Sequence, residues 1–379
     1  MRYYLGEAVS LKWLETPSVY QIANDELFEL DQDSFRFMKD CSSPDGCESK
    51  GGAFLDYCRE EGLLTTTPVS ATRPLLEQSP DPSLRYLELQ ITDACNLRCK
   101  HCYLTHHTGK ELLPAQIKTI LTEFEEMQGL RVLITGGEPL LHSKFSEIND
   151  ILSDFSLRKV LFTNGLLLTK ANLKTLNVDE IQVSVDGLEY AHDKLRGTES
   201  YKRAMEAIHQ ALNAGLAVSV STMVHSENLS DFDSMERLFK DIGIKDWTVD
   251  IPCSTGHLSE NTDFYVGPER GAKYLGYGFG GGLHSSGQGY GCGLHLMAIF
   301  ADKKVAKCSF YGDQTVGTVD EGLRFVWQKI KPIRLKNLSC NCQYLEVCRG
   351  GCRYRAELMG GKGGKDLYRC TFYGILEPV

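Results

Sequence analysis

The sequence has no apolar run approaching the ~18 residues that a membrane-spanning helix needs, and its start, MRYYLGEAVSLK, lacks the long apolar core of a signal peptide. A surplus of positive charge is missing too: 41 Lys and Arg stand against 50 Asp and Glu, a formal net charge of −9. That balance argues against nucleic acid or an anionic membrane as the main partner. The expectation is therefore a cytoplasmic protein without a membrane, and in that compartment fourteen cysteines do not read as a disulfide framework. Thiols there stay reduced, and clusters of them usually hold metal. At 379 residues, 42% hydrophobic and 24% charged, the chain has material for an ordinary core and the length of two or three domains.

Cysteine is itself absent from a stretch of 150 residues, 103–252. Before the gap stand Cys41, Cys47 and Cys58, then the tight trio Cys95, Cys99 and Cys102. After it comes Cys253 alone, and then Cys292, Cys308, Cys340, Cys342, Cys348, Cys352 and Cys370. This distribution divides the chain into three parts, expected at 1–75, 83–255 and 256–379.

In the first part, Ser18–Ile22 and Glu26–Leu30 alternate apolar and polar residues around Asn24-Asp25, a β-hairpin pattern. Ser34 is placed to cap a short helix through Met38, and Ala53–Cys58 reads as another. Strands plus short helices at this size suggest a winged-helix-like module. Residues 1–75 carry 7 basic and 13 acidic side chains, the wrong sign for a phosphate-facing surface. A peptide adding a strand to the hairpin edge suits the module better, with a structural extension as the alternative. Its three cysteines are irregularly spaced and read as buried small apolar residues.

A proline-punctuated linker, Thr65 to Pro82, leads into alternating strands and helices. Strands are expected at Arg85–Ile91, Arg131–Thr135, Lys159–Thr163, Ile181–Val185, Ala217–Met223 and Trp247–Ile251. The stripes Ile117/Ile120/Leu121/Phe124/Met127, Tyr201/Met205/Ile208/Leu212 and Phe232/Met235/Leu238/Phe239/Ile242 mark helices packed on a core. Six such units give an α/β fold with a parallel sheet, either doubly wound or curled into a partial barrel. In both, chemistry belongs at the C-terminal strand ends.

Cys95-Asn-Leu-Arg-Cys99-Lys-His-Cys102 follows the first of these strands. Zinc sites pair cysteines with a distant second pair, so three in one eight-residue loop fit zinc poorly. They suit a [4Fe–4S] cluster with one iron uncovered, or one closed by a distant fourth ligand. Thr135-Gly-Gly-Glu-Pro139 ends the second strand, and its paired glycines allow close backbone approach of a polar group. It is not a phosphate loop, lacking both the glycine spacing and the lysine. Thr163-Asn-Gly165 and Ser184 with Asp186-Gly187 end the next two strands, either as turn chemistry or as a polar rim facing the cysteine loop.

A Cys-x3-Cys-x2-Cys loop after strand one with GGEP after strand two resembles the radical S-adenosylmethionine (SAM) enzymes over about residues 85–255. The resemblance implies a (β/α)6 partial TIM barrel, a [4Fe–4S] cluster on Cys95, Cys99 and Cys102, and SAM chelating the open iron. It implies His101 near the adenine, Gly136, Gly137 and Glu138 at the methionyl amino group, Ser184 at ribose or carboxylate, and Arg196 pairing the carboxylate. The implied chemistry is one-electron reduction of SAM to a 5′-deoxyadenosyl radical that abstracts a substrate hydrogen. The electron would come from a partner such as flavodoxin or ferredoxin.

The tail, Cys340-Asn-Cys342-x5-Cys348-x3-Cys352-x17-Cys370 preceded by Cys292-x15-Cys308, is similar to the cysteine-rich SPASM extension, which implies two auxiliary [4Fe–4S] clusters. Its first pair is normally C-x2-C, and here only Asn341 intervenes. Family topology assigns Cys340, Cys342, Cys348 and Cys370 to the outer cluster and Cys292, Cys308 and Cys352 to the inner one. The inner set is one thiolate short: either His284, His295 or another side chain fills the place, or an iron is open to substrate. The glycine-rich run 271–293 reads as close approach to a cluster or substrate, or as a flexible connection. Cys253 either faces the cavity as a catalytic thiol or is simply buried.

The N-terminal part resembles the leader-recognition element of peptide-modifying radical SAM enzymes, through Ser18–Leu30 and Glu60-Glu-Gly-Leu-Leu64. Together these resemblances imply a maturase acting on a precursor peptide with a leader, and the leading expectation is a thioether cross-link. Epimerisation, other C–C or C–O cross-links, and maturation of a partner enzyme or a tetrapyrrole-type cofactor are the alternatives. An iron–sulfur electron carrier is the reading from a different class.

Overall fold

A computed structural model describes residues 1–71, 73–105, 107–283 and 287–375. At the N-terminus β1 (Arg2–Leu5) lies between β5 (Cys47–Glu48) and β6 (Leu64–Thr65), all antiparallel. A second antiparallel sheet runs β2 (Val9–Trp13), β3 (Pro17–Gln21), β4 (Glu26–Glu29) in that order, so the expected hairpin gains a strand on its β3 side. Two helices, α1 (Gln32–Cys41) and α2 (Ala53–Glu60), cover these sheets. Asp31, not Ser34, caps α1: its carboxylate accepts the Ser34 N–H at 2.7 Å, so the helix starts earlier than expected. Cys41 and Cys58 are buried in the small core with Tyr3, Leu5, Val19 and Met38.

This part is fastened to the rest by buried polar contacts. Lys12 is wholly buried and its Nζ donates to the Gly129 carbonyl at 2.7 Å; burial holds its pKa down to about 8. The equally buried Arg158 donates to the Ile22 and Ala23 carbonyls and pairs with Glu180 at 2.6 Å, and Arg131 pairs with Asp25. Breaking such a buried pair costs about 3–5 kcal/mol, so the attachment is firm.

The large sheet begins with β7 (Tyr86–Thr92), then α3 (Pro114–Glu126), β8 (Arg131–Gly136), α4 (Phe145–Leu152), β9 (Arg158–Thr163), α5 (Lys170–Leu173) and β10 (Glu180–Ser184). It continues through α6 (Glu189–Arg196), α7 (Ser200–Asn213), β11 (Ala217–Met223), α8 (Phe232–Asp241) and β12 (Asp246–Asp250). All six strands lie within one residue of their expected ends. They are parallel and neighbour one another in chain order, β12-β11-β10-β9-β8-β7. A doubly wound sheet reverses its strand order at a switch point; this one does not, so every crossover turns the same way and the sheet curls.

After α9 (Pro268–Gly271), a seventh parallel strand, β13 (Leu296–Ile299), pairs with β7 and continues antiparallel into β14 (Lys304–Ala306) and β15 (Gly317–Thr318). The sequence reading left these residues as a bridge; their strands are three or four residues long or shorter, and no helix stripe separates them. The tail closes with α10 (Leu323–Lys329), α11 (Leu345–Cys348), α12 (Arg353–Gly360) and α13 (Leu367–Phe372).

The described part of the glycine-rich run covers the exposed edge of β12, where Trp247 and Phe279 exchange backbone hydrogen bonds of 2.8 and 3.0 Å. Gly280, at φ +103, has to be glycine, since a Cβ there would meet the Asp246 carboxylate at 1.7 Å. At Gly280 the close approach is to a strand edge. His284 lies outside the described residues. Among the described residues no helix is long and apolar enough to cross a membrane.

Candidate functional site

The loop after β7 carries Cys95, Cys99 and Cys102, and backbone contacts fix it on three sides. The Ala94 carbonyl accepts the Glu138 N–H at 2.7 Å and the Thr92 carbonyl accepts the Gly137 N–H at 2.9 Å. A Cβ on Gly137 would stand 2.4 Å from the Ala94 oxygen, so the paired glycines are required first by contact between two loops. From the far side the His257 N–H donates to the Cys102 carbonyl at 2.9 Å, and a Cβ on Gly256, at φ +56, would meet that same oxygen at 2.3 Å. The Leu195 carbonyl accepts the Lys100 N–H at 2.9 Å.

The three thiols open on a cavity of about 300 Å³ at the C-terminal ends of the strands, shared with His101, Gly136, Gly137, Ser184 and Arg196. Beneath it lies a buried charge network. Arg196 Nε donates to Asp186 at 2.5 Å while Nη1 stands 3.9 Å from the Cys99 sulfur. Asp186 also accepts the Met223 N–H at 2.7 Å. Burial alone would raise the Asp186 carboxyl, but the Arg196 guanidinium beside it holds it well below the usual carboxylate range. Burial pushes the Cys99 thiol up to about 12 despite the attraction of Arg196, so a thiolate here needs more positive charge than the protein alone supplies. His101 is pressed down to about 3 by burial and is neutral; its Nε2 lies 3.7 Å from Asp186 and its buried Nδ1 has no partner among the described residues.

Glu138 takes a different position from its glycine neighbours. Its carboxylate is fully buried, accepting from the Thr163 hydroxyl and the Asn164 N–H at 2.8 Å each, and burial raises its pKa to about 7. It ties the loop after β8 to the loop after β9 and does not line the cavity.

Sequence reasoning missed Glu88, on the cavity wall. It lies on β7, its carboxylate accepts the Ser309 N–H at 2.7 Å, and burial raises its pKa. The available signal was the one charged residue of β7. Also missed was a second cavity of about 460 Å³ that shares Tyr103, Leu104, Ser309 and Phe310 with the first and carries Asp93, Lys110, Asp302 and Lys304.

The tail cysteines fall into two groups. Cys340, Cys342, Cys348 and Cys370 line one small cavity together with Lys365 and Arg369. Burial raises Cys370 to about 11, with Cys340 next in effect. Cys292, Cys308 and Cys352 lie close enough to repel one another as thiolates, and the Arg353 N–H points at the Cys292 sulfur at 3.4 Å. Cys253, beyond β12, joins this second group. It packs against Cys352, and the interaction between the two thiols raises Cys253 and lowers Cys352. His295 does not join it: its Nδ1 bonds the Ser83 carbonyl at 2.9 Å.

Among the described residues no three His, Cys, Asp or Glu side chains converge on a single metal ion. A [4Fe–4S] cluster spreads its thiolates over separate irons, so cysteines ringed around a cavity suit it and a mononuclear ion does not. The buried, partnerless Nζ of Lys307, beside Cys292 and Cys308, calls for a nearby anion, which a thiolate-ligated cluster would be.

The sequence model of the Radical SAM superfamily matches residues 89–239. An AdoMet-dependent heme synthase of Oleidesulfovibrio alaskensis is 23% identical over 357 residues, spanning 81% of this chain and 92% of its own. The mycofactocin maturase MftC of Mycolicibacterium smegmatis is 27% identical over 307 residues, spanning 70% of this chain and 77% of its own. Among solved structures, Streptococcus suis SuiB bound to its precursor peptide SuiA has a TM-score of 0.70 at 16% identity, covering 96% of this chain and 98% of that one. The enzyme anSMEcpe with bound AdoMet has a TM-score of 0.62 at 17% identity, covering 76% and 95%. At these identities the structures establish likeness of fold. The family match falls on the barrel, from within β7 to within α8.

Proposed function

We propose that this chain matures a ribosomally made precursor peptide, joining a substrate cysteine sulfur to a peptide carbon in a thioether. The observation that carries the peptide reading is the outer edge of β4, which among the described residues ends its sheet without a further strand, on a module held to the barrel by buried ion pairs from Asp25 to Arg131 and Arg158. An extended leader would pair with that edge, its side chains meeting Phe28 and the exposed Tyr57, which pack at 6.3 Å. The fold shared with SuiB, solved with a precursor peptide, and the similarity to a maturase support the same reading.

In this proposal residues 1–75 form a winged-helix-like recognition module, 83–255 the radical SAM barrel and 256–379 the bridge and SPASM domain. Cys95, Cys99 and Cys102 would hold the barrel cluster, with SAM among His101, Gly136, Gly137, Ser184 and Arg196. Cys340, Cys342, Cys348 and Cys370 would hold the outer auxiliary cluster, and Cys292, Cys308 and Cys352 belong to the inner one. When bound, SAM and the reduced barrel cluster supply hydrogen-atom abstraction, and the auxiliary clusters supply a sink for one electron. Tyr103 and Phe310 stand between the two cavities and would screen the reacting carbon from water. Glu88 would take the proton of the substrate thiol, a task matched to a carboxyl raised by burial. One C–H and one S–H bond break and one C–S bond forms. The peptide thereby loses two hydrogens, one as an atom and one as a proton, and one electron leaves.

The test is the intact mass of a cysteine-containing precursor peptide after anaerobic reaction with SAM and reduced flavodoxin or ferredoxin. Loss of two hydrogens that is prevented by blocking the peptide thiols supports the thioether. Unchanged mass with one deuterium gained in heavy water would mean epimerisation, and loss of two hydrogens despite blocked thiols another cross-link. A second reading, a tetrapyrrole substrate, is favoured by the heme synthase similarity over most of the chain. Turnover of Fe-coproporphyrin with the peptide unchanged would select it.

A further inference from the structure

We propose that Cys253, reaching across from the barrel, is the fourth thiolate of the inner auxiliary cluster. This rests on the reading that the tail holds iron–sulfur clusters, and it fills the place that Cys292, Cys308 and Cys352 leave open. Cys253 lies against Cys352 where the end of the barrel meets the tail. Cys253 also packs in one cluster with Cys308, Cys352, Tyr311 and Tyr354, and it is 3% exposed.

The approach is built rather than incidental, because one guanidinium holds both cysteine-bearing segments. Arg355 donates to Asp250 at 3.0 Å and to the Ile251 carbonyl at 2.7 Å, fixing the segment that leads to Cys253. The same side chain binds both oxygens of Asp366, at 3.1 and 2.7 Å, and Asp366 accepts the Cys352 N–H at 2.8 Å. A Cβ at Gly351, φ +67, would lie 2.3 Å from that carboxylate, so the turn before Cys352 leaves no slack. The partnerless Lys307 Nζ then faces the anion that four thiolates and a cluster would make. Cys253 also borders the main cavity, so the inner cluster would sit in its wall. A ligating Cys253 has no hydrogen atom to give a substrate radical, and a substrate thiol could reach that iron only by displacing it.

The experiment uses the full chain with Cys95, Cys99 and Cys102 all changed to Ala, so that only auxiliary iron is read. After anaerobic reconstitution, iron and sulfide are counted and the reduced electron paramagnetic resonance spectrum is recorded with and without 2-mercaptoethanol. The parent should carry two clusters' worth of iron and ignore the added thiol. Adding Cys253→Ala should either remove one cluster or give a spectrum that shifts with the thiol. The conservative Cys253→Ser should keep the iron with an altered spectrum, so a poorly folding Ala variant does not leave the question open. Two clusters in every variant, with spectra that match the parent and do not respond to thiol, would overturn the assignment alone. A parent without auxiliary iron would overturn the cluster reading of the tail as well.

Discussion

The barrel cysteine loop and the inner cysteine group of the tail are built on opposite plans. In the first, three thiols come from eight consecutive residues and sit over polar, charged groups: Asp186, Arg196 and His101. In the second, Cys253, Cys292, Cys308 and Cys352 come from four distant segments and sit among Tyr311, Tyr354, Phe300 and Phe310. The polar loop leaves a neutral His101 on the cavity wall, its Nδ1 without a partner among the described residues, suited to receive a cofactor and release it. The apolar group is clamped by Arg355, suited to hold a cluster permanently and pass an electron.

That contrast predicts unequal losses. Cys99→Ala should have the largest effect, abolishing both SAM cleavage and peptide modification, as followed by 5′-deoxyadenosine and by peptide mass. Cys308→Ala should abolish the modified peptide while SAM cleavage persists within severalfold of the unaltered enzyme. Equal loss of both products in the two variants would erase the distinction drawn between the sites. A milder change is Glu88→Gln, which removes a proton acceptor without emptying its place. Product formation should fall ~10²-fold with SAM cleavage retained. Because burial raises the Glu88 pKa, the unaltered enzyme should lose rate as pH drops through that raised value, and the variant should be flat there.

The same contrast explains what could be read from the chain. The trio in the barrel loop and the GGEP segment are local, so spacing and the preceding strand period were enough to put them at one end of a parallel sheet. Cys253 carries no local signal: a lone thiol after a strand becomes a neighbour of Cys352 only when Arg355 bridges Asp250 and Asp366. His295 misled for the same reason: it stands three residues from Cys292 in sequence, but its ring turns to Ser83 and Glu15. The glycines of GGEP were visible, but their first duty, contact with the Ala94 backbone, was not, because it depends on a neighbouring loop. Strands β13 to β15 are too short for periodicity to register and owe their existence to the exposed edge of β7.

The smallest effect should come from a change that touches neither cysteine site. In the β3–β4 ladder Leu30 N–H bonds the Pro17 carbonyl, and antiparallel pairs alternate, so Glu29, one residue back, turns its N–H outward. Glu29→Pro therefore removes one outward donor and crowds the edge while sparing the bonds to β3, and prolines are tolerated on edge strands. A lost hydrogen bond of about 1 kcal/mol plus the steric cost amounts to about a tenfold weaker leader complex. Leader affinity, measured by titration with a labelled peptide, should fall by that factor. Rate at saturating peptide should stay the same, because both cysteine sites are intact. A variant that instead loses maximal rate at unchanged affinity would show that the β4 edge does not receive the leader, and that the N-terminal module acts on the barrel itself.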